Sequence, residues 1–329
     1  MKTAKWVALA ALAAGVFFVS GCKRHSVKEV YYLVSNNTGL PYWKTAAAGF
    51  NHAAAQLGVT AKVVGPQNYD IQDELSEFKS AVASKPSGIL VTAQDVAVLQ
   101  PEIDAAIQAG VPVITIDSDA AGSHRLFFIG TNNLDAGRLG GRRLAEKLGG
   151  KGNVVFFTIA GQPNLEERLK GFKDVLETRP GIHIAEVVDI KGDPRVAFDE
   201  SQKLLAQTGP KKIDAFVCLE ASTGRQVAEV IRRMNVKDRV VITWDTDQAI
   251  LDAIKAGTID STVAQKPYTM GFVGLNALDN IFHNPPKQLD HNYSADPFSR
   301  YPVFIDTGTS LVDKENVDPY ITAAAQMEK

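Results

Sequence analysis

Cysteine is scarce in this chain, with two among its 329 residues, at positions 22 and 218. Cys218 lies in the apolar run Ala215–Leu219, where a small thiol is most simply a core residue. So few cysteines provide no disulfide framework for the fold. The six histidines are scattered without the spacing typical of metal ligands, so we predict neither a metal site nor a cofactor.

A strong charge of either sign is also missing, since the formal net charge is −2 at pH 7. This balance provides no electrostatic surface for nucleic acid. The phosphate-binding motif Gly-x-x-x-x-Gly-Lys-Ser/Thr, the nucleophile motif Gly-x-Ser-x-Gly and the zinc motif His-Glu-x-x-His do not occur in the sequence. We therefore predict that the protein does not bind nucleic acid and is not an enzyme.

An apolar run at residues 6–19 follows two lysines near the N-terminus and is too short for a spanning helix. It ends in Val-Ser-Gly before Cys22, which resembles a bacterial lipoprotein signal, in which that cysteine is lipidated. We predict a lipoprotein signal peptide over 1–21, a lipid anchor on Cys22 and a polar tether over 22–28. An ordinary signal peptide that happens to contain a cysteine is the alternative.

From residue 29 onward, apolar runs of strand length alternate with amphipathic runs of helix length. The strands are continuous apolar runs such as Val154–Phe157, which indicates burial on both faces. Such alternation predicts a doubly wound parallel sheet, and it occurs twice, so we expect an α/β fold with two Rossmann-like lobes. The predicted strands are 30–35, 60–65, 88–93, 112–117, 126–130, 153–160, 183–189, 214–219, 239–245, 259–265 and 302–306. The predicted helices are 41–57, 70–84, 97–109, 134–148, 164–178, 195–207, 222–234, 247–256, 268–282 and 316–327.

Two late elements, helix 268–282 and strand 302–306, extend neither series of alternating units. They suggest that the chain returns across the interface, which makes three crossings and favours a hinge around a ligand cleft. The predicted crossings are near 130–132, 264–267 and 300–306. The predicted lobes are 29–131 with 266–300 (N-lobe) and 132–265 with 301–329 (C-lobe).

Polar residues follow the carboxyl ends of the predicted strands, where open α/β sheets bind ligands. Asp117 and Asp245 each end a long apolar strand, and a buried carboxylate there requires hydrogen-bond donors. The hydroxyl groups of a sugar or polyol supply such donors, and its apolar faces can lie on aromatic rings. The candidates selected by position are Ser35, Tyr42, Trp43, Gln94, Asp95, Asp117, Asp193, Glu220, Trp244, Asp245 and Gln265.

These candidates also have ordinary structural explanations. Asp117 and Asp245 can cap helices or form turns, and Glu220 can cap the helix that follows it. Gln265 can simply bridge the hinge. Tyr42 and its neighbouring tryptophan can be core aromatics, although adjacent helical positions do not both face one core.

Five short segments occur in one order between about residues 29 and 313. They are Val34-Ser35…Leu40-Pro41-Tyr42-Trp43, Val113-Ile-Thr-Ile-Asp117, Glu167-Arg168-Leu-Lys-Gly-Phe172, Val241-Ile-Thr-Trp-Asp245 and Val263-Ala-Gln265. Together they resemble the ribose-type periplasmic sugar-binding proteins, which are solute receptors of ABC importers with the type I periplasmic binding fold. The resemblance implies two lobes that close around a sugar, with no cofactor and an ABC permease as partner.

The resemblance also assigns roles to individual residues. Tyr42 and Trp43 match the family's stacking aromatics, Asp117 its hydroxyl-binding aspartate and Arg168 its bidentate arginine. Asp245 and Gln265 match an aspartate and a glutamine of the binding site. Neighbouring candidates of the same segments and strand ends are Asn37, Leu40, Gln94, Asp95 and Asp193.

The chain departs from the ribose pattern at three places. Ser118 replaces an arginine, Glu220 replaces an asparagine, and an aromatic of the C-lobe is missing near Gly192 and Asp193. The site thus loses a positive group and gains a carboxylate. A larger ligand, a polyol or an amino-bearing compound fits this charge better than ribose.

The leading hypothesis is a monomeric, extracytoplasmic receptor that captures a sugar-like solute and presents it to an ABC permease, held at the membrane through lipidated Cys22. A receptor that feeds a chemoreceptor or sensor kinase is the alternative. A repressor would require an N-terminal helix-turn-helix where this chain has an export signal. An enzyme using Asp117, Glu220 and Asp245 as acid and base has no accompanying nucleophile or cofactor loop.

Overall fold

The computed structural model describes residues 25–327, with side chains described up to residue 322. The predicted signal peptide and lipidation site at Cys22 lie outside the described residues. The strands are β1 (Val30–Val34), β2 (Thr60–Val64), β3 (Gly88–Val91), β4 (Val113–Ile116), β5 (Phe128–Gly130), β6 (Lys151–Thr158), β7 (Gly181–Asp189), β8 (Ala215–Cys218), β9 (Val240–Trp244), β10 (Ser261–Ala264), β11 (Phe304–Asp306) and β12 (Ser310–Asp313). The helices are α1 (Pro41–Leu57), α2 (Ile71–Ala83), α3 (Val96–Gln108), α4 (Asn133–Lys147), α5 (Pro163–Leu176), α6 (Pro194–Leu205), α7 (Ala221–Arg233), α8 (Gln248–Lys255), α9 (Pro267–His283) and α10 (Val317–Met327).

The strands form two six-stranded sheets, one in each lobe. The N-lobe sheet has the order β11-β5-β4-β3-β1-β2 and the C-lobe sheet the order β12-β10-β9-β8-β6-β7. Neighbouring strands run parallel except for β12, which pairs antiparallel with β10. Each lobe has its own apolar core, and Cys218 is buried in that of the C-lobe. The prediction of two doubly wound parallel sheets is therefore confirmed.

The chain crosses between the lobes after β5, after β10 and after β11. β11 pairs in parallel with β5, so the chain remains in the N-lobe up to Asp306. The assignment of residues 301–329 to the C-lobe is therefore wrong for its first six residues, and the third crossing lies at 307–309. The sequence did not predict β12, a short edge strand that follows this crossing.

Helices α1 and α9 approach each other unusually closely in the N-lobe. A Cβ atom on Gly49 would lie 2.0 Å from the carbonyl oxygen of Tyr268, and one on Gly271 would lie 2.1 Å from that of Ala46. Only glycine allows this approach of backbones. Because α9 begins directly after the second crossing, its fixed position against α1 also fixes the N-lobe side of the hinge.

The N-terminal segment lies against the N-lobe in its described part. Thr60 donates a hydrogen bond from Oγ1 to the carbonyl oxygen of Val27 over 2.7 Å, and His25 contacts Asp279 of α9. The predicted tether is therefore docked from residue 25 onward. Along residues 25–327 we find no helix with the length and apolar character needed to cross a bilayer.

Candidate functional site

A cavity of about 900 Å³ lies between the lobes, at the carboxyl ends of their parallel strands. Its walls come from both lobes and from the second crossing. Of the sequence-predicted residues it is lined by Leu40, Tyr42, Trp43, Asp117, Arg168, Glu220, Asp245 and Gln265. The location agrees with the rule that open α/β sheets bind ligands beyond the strand ends.

Asp117 and Asp245 occupy equivalent positions in the two lobes. Each directly follows the third strand of its sheet, β4 or β9, and each has a left-handed backbone, with φ of 66° and 67°. This conformation costs a non-glycine residue about 1 kcal/mol or more, and such strain concentrates at functional sites. The sharp turn directs each carboxylate into the cavity instead of along its strand.

Asp117 connects the lobes through its side chain. Its Oδ1 accepts a hydrogen bond from the hydroxyl of Tyr42 over 2.7 Å, and its Oδ2 accepts one from Nδ2 of Asn164 in α5 over 3.2 Å. Burial raises the pKa of Asp117, while the Arg168 charge and the Tyr42 hydrogen bond oppose the rise. Since Asn164 belongs to the C-lobe, the lobes are already in contact across the cleft.

Arg168 is 2% exposed and lies at the bottom of the site. Its Nε donates to Oδ1 of Asn133 over 2.9 Å, Nη1 to the carbonyl oxygen of Leu219 over 2.8 Å, and Nη2 to Oε1 of Gln265 over 3.0 Å. Its Cζ lies 5.1 Å from the centre of the Trp244 ring. A guanidinium has five N–H donors, so one remains on each terminal nitrogen for a ligand.

Gln265 joins the second crossing to the C-lobe carboxylate. Its Nε2 donates to Oδ1 of Asp245 over 2.8 Å, and its Oε1 also accepts from the hydroxyl of Thr131 in the first crossing over 2.8 Å. Burial raises the pKa of Asp245 to about 7, although Arg168 and Gln265 act in the opposite direction. Among the described residues, Oδ2 of Asp245 has no hydrogen-bond partner and is open to the cavity.

Glu220 lines the cavity and also caps α7. Its carboxylate accepts hydrogen bonds from the backbone nitrogen of Ser222 over 2.8 Å and that of Thr223 over 2.7 Å, and from the Thr223 hydroxyl. A helix N-terminus stabilises a negative charge at this position. The carboxylate that distinguishes this chain from the ribose pattern is therefore largely compensated by its own helix.

Tyrosine and tryptophan side chains line the cavity, namely Tyr42, Trp43, Tyr69, Tyr268 and Tyr320, and Trp43 also packs in the N-lobe core. Tyr42 and Trp43 lie edge to face with ring centres 5.3 Å apart. Tyr69, which the sequence did not indicate, follows β2 and lines the cavity. It reaches across the cleft to Gly192, where an added Cβ atom would lie 3.1 Å from the Cβ of Tyr69. An N-lobe tyrosine thus lies against the C-lobe segment where the ribose pattern led us to expect an aromatic residue.

Three predicted residues lie in the protein core and do not line the cavity. Trp244 is 0% exposed and packs on Phe172 of α5, because the last side chain of β9 points into the C-lobe core. Ser118 donates its hydroxyl to the carbonyl oxygen of Ala93 over 2.9 Å. Ser35 is also fully buried. The prediction that these side chains face the cavity is wrong, since a strand end alternates between core and cleft.

Four others have local structural roles outside the cavity lining. Asp95 and Asp193 cap α3 and α6 through their carboxylates. Asn37 accepts a hydrogen bond from the backbone nitrogen of Gly39 over 3.1 Å within the turn. Gln94 is buried before α3 and does not line the cavity.

The sequence reasoning missed several polar residues of the cavity, among them Asn36, Gln162 and Asn164. Asn164 lies four residues before Arg168 on α5, so the two share a helix face and the helical period could have indicated it. Tyr69 lies in the loop after β2, and the rule of strand ends could have included it.

The comparisons with known proteins agree with this architecture. The model of the periplasmic binding protein domain family matches residues 31–284. The ribose import binding protein RbsB of Haemophilus influenzae is 24% identical over 258 residues, which cover 78% of this chain and 86% of that protein.

Two solved structures are similar along nearly their whole length. The sugar-binding protein of a sugar ABC transporter from Bacillus halodurans is 33% identical with a TM-score of 0.78, covering 89% of this chain and 100% of that one. The glucose-galactose binding protein GanP from Geobacillus stearothermophilus is 27% identical with a TM-score of 0.79, covering 88% and 98%. The family model matches more than half of the chain, and the chain therefore belongs to the periplasmic binding protein domain family.

Proposed function

We propose that this protein captures a sugar or a similar polyhydroxylated small molecule between its lobes and delivers it to the permease of an ABC importer. The observation that carries the proposal is the pairing of Asp117 and Asp245. They come from equivalent strand ends of the two lobes, and they share one cavity with Arg168. The relatives named for ribose import and sugar binding support the same class of ligand.

The polar groups of the cavity are suited to hydroxyl groups. Oδ2 of Asp245 is an acceptor without a partner among the described residues, and Arg168 retains two N–H donors. A hydroxyl group both donates and accepts, so neighbouring hydroxyls of one sugar can use both kinds of group. Hydrogen bonds to charged groups contribute about 1.5–3 kcal/mol each. Tyr42, Trp43 and Tyr69 supply the apolar surface for the C–H faces of the ring.

Closure of the lobes is the proposed route to tight and selective binding. The hydrogen bond from Asn164 to Asp117 and the contact of Tyr69 with Gly192 hold the lobes together across the cleft. Closure excludes water and so strengthens each polar contact with the ligand. A ligand that contacts both lobes binds the closed form more tightly and shifts the population towards it.

The charge of the site favours a neutral ligand over an anionic one. Among the described residues, four carboxylates and three cations line the cavity, namely Asp117, Glu220, Asp245 and Asp247 with Lys44, Arg168 and Lys266. The Glu220 charge is stabilised by the N-terminus of α7. Arg168 then faces Asp117 and Asp245, the latter with a pKa of about 7. A sugar or sugar alcohol fits this balance, and an amino sugar would add an ion pair with Asp245.

We further propose that the protein is a monomer outside the cytoplasmic membrane, attached through lipidated Cys22, and that it performs no catalysis. The family of binding proteins supports the location and the lack of catalysis. Use of the closed form by a chemoreceptor or sensor kinase is the alternative output. Measuring uptake of the identified sugar in cells that lack this protein separates the two outputs. Uptake fails in these cells only if the permease depends on this protein.

Thermal unfolding with a panel of compounds tests the proposed function. The panel contains pentoses, hexoses, sugar alcohols and amino sugars, with amino acids as compounds of another class. At a hundredfold excess over Kd, a ligand stabilises the folded protein by about 2.7 kcal/mol and raises the unfolding temperature. The proposal is supported if a sugar or polyol raises the unfolding temperature and NMR shows that the compound is recovered chemically unchanged. Stabilisation by amino acids alone, or chemical conversion of the sugar, overturns it.

A further inference from the structure

The end of α9 furthest from the cavity carries a second cluster of ligating side chains. His25, Asp279 and His283 each place a nitrogen or oxygen atom within 4.8 Å of the others, and Glu29 adds a second carboxylate. Thr269 is the last residue of α9 that lines the cavity, so Asp279 and His283 lie about 15–21 Å further along the helix. His25 and His283 are 258 positions apart in the sequence, which gave no metal-ligand spacing, but the fold brings their ring centres to 4.9 Å.

The distances in the cluster match those between ligands of one metal ion. Nε2 of His25 lies 3.1 Å from Oδ2 of Asp279, and Nε2 of His283 lies 3.5 Å from Oδ1 of Asp279 and 3.0 Å from Oε2 of Glu29. Two ligand atoms at about 2.05 Å from a tetrahedral zinc ion lie roughly 3.3 Å apart. The three measured distances are therefore close to this value, and the ligand atoms of His25, Asp279 and His283 all lie within 4.8 Å of one another.

The fold presents these side chains on a rigid frame. Asp279 and His283 are four residues apart, so they project from the same face of α9. The hydroxyl of Tyr31 in β1 lies 3.3 Å from Oδ1 of Asp279, to which it donates a hydrogen bond that orients the carboxylate. His25 and Glu29 come from the segment that precedes β1, and its docking against the N-lobe brings them to the helix.

The burial and charge of the cluster favour a divalent cation. Asp279 is 6% exposed, whereas the side chains of His25 and His283 are 22% and 17% exposed, which leaves the ion a path to enter. Two neutral imidazoles and two carboxylates balance the charge of a divalent ion. Imidazole together with carboxylate suits zinc and neighbouring transition metals, whereas magnesium and calcium prefer oxygen ligands alone.

We propose that His25, Asp279 and His283, with Glu29 as the fourth ligand, bind a zinc ion. The ion fastens the segment before β1 to the C-terminal turn of α9. The segment contains the first residues described after the predicted lipidation site, so the metal holds the start of the described chain against the N-lobe. Binding of the metal is independent of the sugar cavity at the other end of the helix.

Metal titration of the purified protein, produced without a histidine tag and stripped with a chelator, tests the site. Calorimetry with Zn²⁺ is expected to give one ion per chain, and Co²⁺ to give the visible absorption of a tetrahedral complex. A hundredfold excess of Zn²⁺ over Kd raises the unfolding temperature by about 5–10 °C. Mg²⁺ and Ca²⁺ are expected to give no such rise.

Variants locate the ion. His25→Gln and His283→Gln are each expected to weaken Zn²⁺ binding at least about tenfold. His183→Gln, which changes an exposed histidine in β7, serves as the matched control with unchanged affinity. The Co²⁺ spectrum uses the unmodified protein, so it reports on the site even if a variant misfolds. The proposal is overturned if Co²⁺ gives no saturable spectrum, or if all three variants bind Zn²⁺ with equal affinity. The four side chains then form only a hydrogen-bonded cluster.

The readouts of the two sites separate a failure here from a failure of the proposed function. Sugar-dependent stabilisation is expected to persist in His283→Gln, because the cavity lies at the other end of α9. Zinc-dependent stabilisation is expected to persist in Asp245→Asn for the same reason. Loss of both responses in one variant contradicts the independence of the sites.

Discussion

Replacement of Asp245 by asparagine tests the central claim about the cavity, because it separates ligand binding from stability. Asparagine keeps an oxygen that can accept the hydrogen bond from Nε2 of Gln265. It removes the carboxylate charge whose burial raises the pKa of Asp245 to about 7. We therefore expect Asp245→Asn to make the ligand-free protein more stable at alkaline pH and to weaken sugar binding.

The sign of the stability change follows from proton linkage. The pKa of Asp245 rises from the ordinary value of 3.8 to about 7 on folding, so the folded state binds more protons between these values. Stability is then lost as the pH rises from about 4 to 7. The full difference corresponds to about 4 kcal/mol as an upper limit. Since Asp245 is partly exposed to water in the cavity, we expect on the order of 2 kcal/mol.

Unfolding temperatures of the wild type and Asp245→Asn between pH 4 and pH 8 measure this effect. We expect similar values at pH 4 and an unfolding temperature about 4–8 °C higher for the variant above pH 7. Asp117 and Glu167 also have raised pKa values through burial, so only the difference between the two proteins reports on Asp245. Asp199→Asn, at an exposed acid of α6, is the control.

Ligand affinity completes the test. Loss of a charge-assisted hydrogen bond is expected to raise Kd for the sugar about 10- to 100-fold in Asp245→Asn. Parallel pH curves for the two proteins would refute the raised pKa of Asp245. Wild-type affinity in the variant would remove this residue from the binding site.

Two further predictions concern the tryptophans and the anchor. Both tryptophans are buried, at 3% and 0% exposure, but Trp43 lines the cavity and Trp244 does not. Trp43→Phe is therefore expected to remove the ligand-dependent change in tryptophan fluorescence, and Trp244→Phe to preserve it. The reverse result would mean that closure is sensed in the C-lobe core. Cys22→Ala is expected to move the protein to the soluble extracytoplasmic fraction or leave it as an uncleaved precursor. Membrane attachment equal to wild type contradicts the lipid anchor.

The pattern of the sequence was sufficient to predict the architecture and several of the residues that line the cavity. Continuous apolar runs identify buried parallel strands, and a polar residue directly after such a run lies near the carboxyl ends of the strands, where ligands bind. Asp117, Asp245 and Gln265 were predicted by this logic, and the structure places all three at one cavity. Arg168 depended on the resemblance to sugar-binding proteins, since its position in a helix has no such local signal.

Other placements depended on contacts that a local pattern does not encode. Trp244 directly precedes Asp245 in the sequence, yet its side chain points into the core because side chains alternate between the two faces of a strand. Glu220 has the same sequence signature as a ligand contact and as a helix cap, and the backbone hydrogen bonds establish its role as a cap.

The sequence by itself determined the strands of the parallel sheets, the presence of two lobes and the acids that border the cleft, because these follow from local periodicity and the rules of parallel sheets. It did not indicate the antiparallel edge strand β12. Only the tertiary structure decided which side chains meet across distance. It brought Tyr69 against Gly192, β11 beside β5 and His25 to His283. Such contacts arise from the packing of whole elements, in which energy is shared among many residues, so no short segment of sequence specifies them.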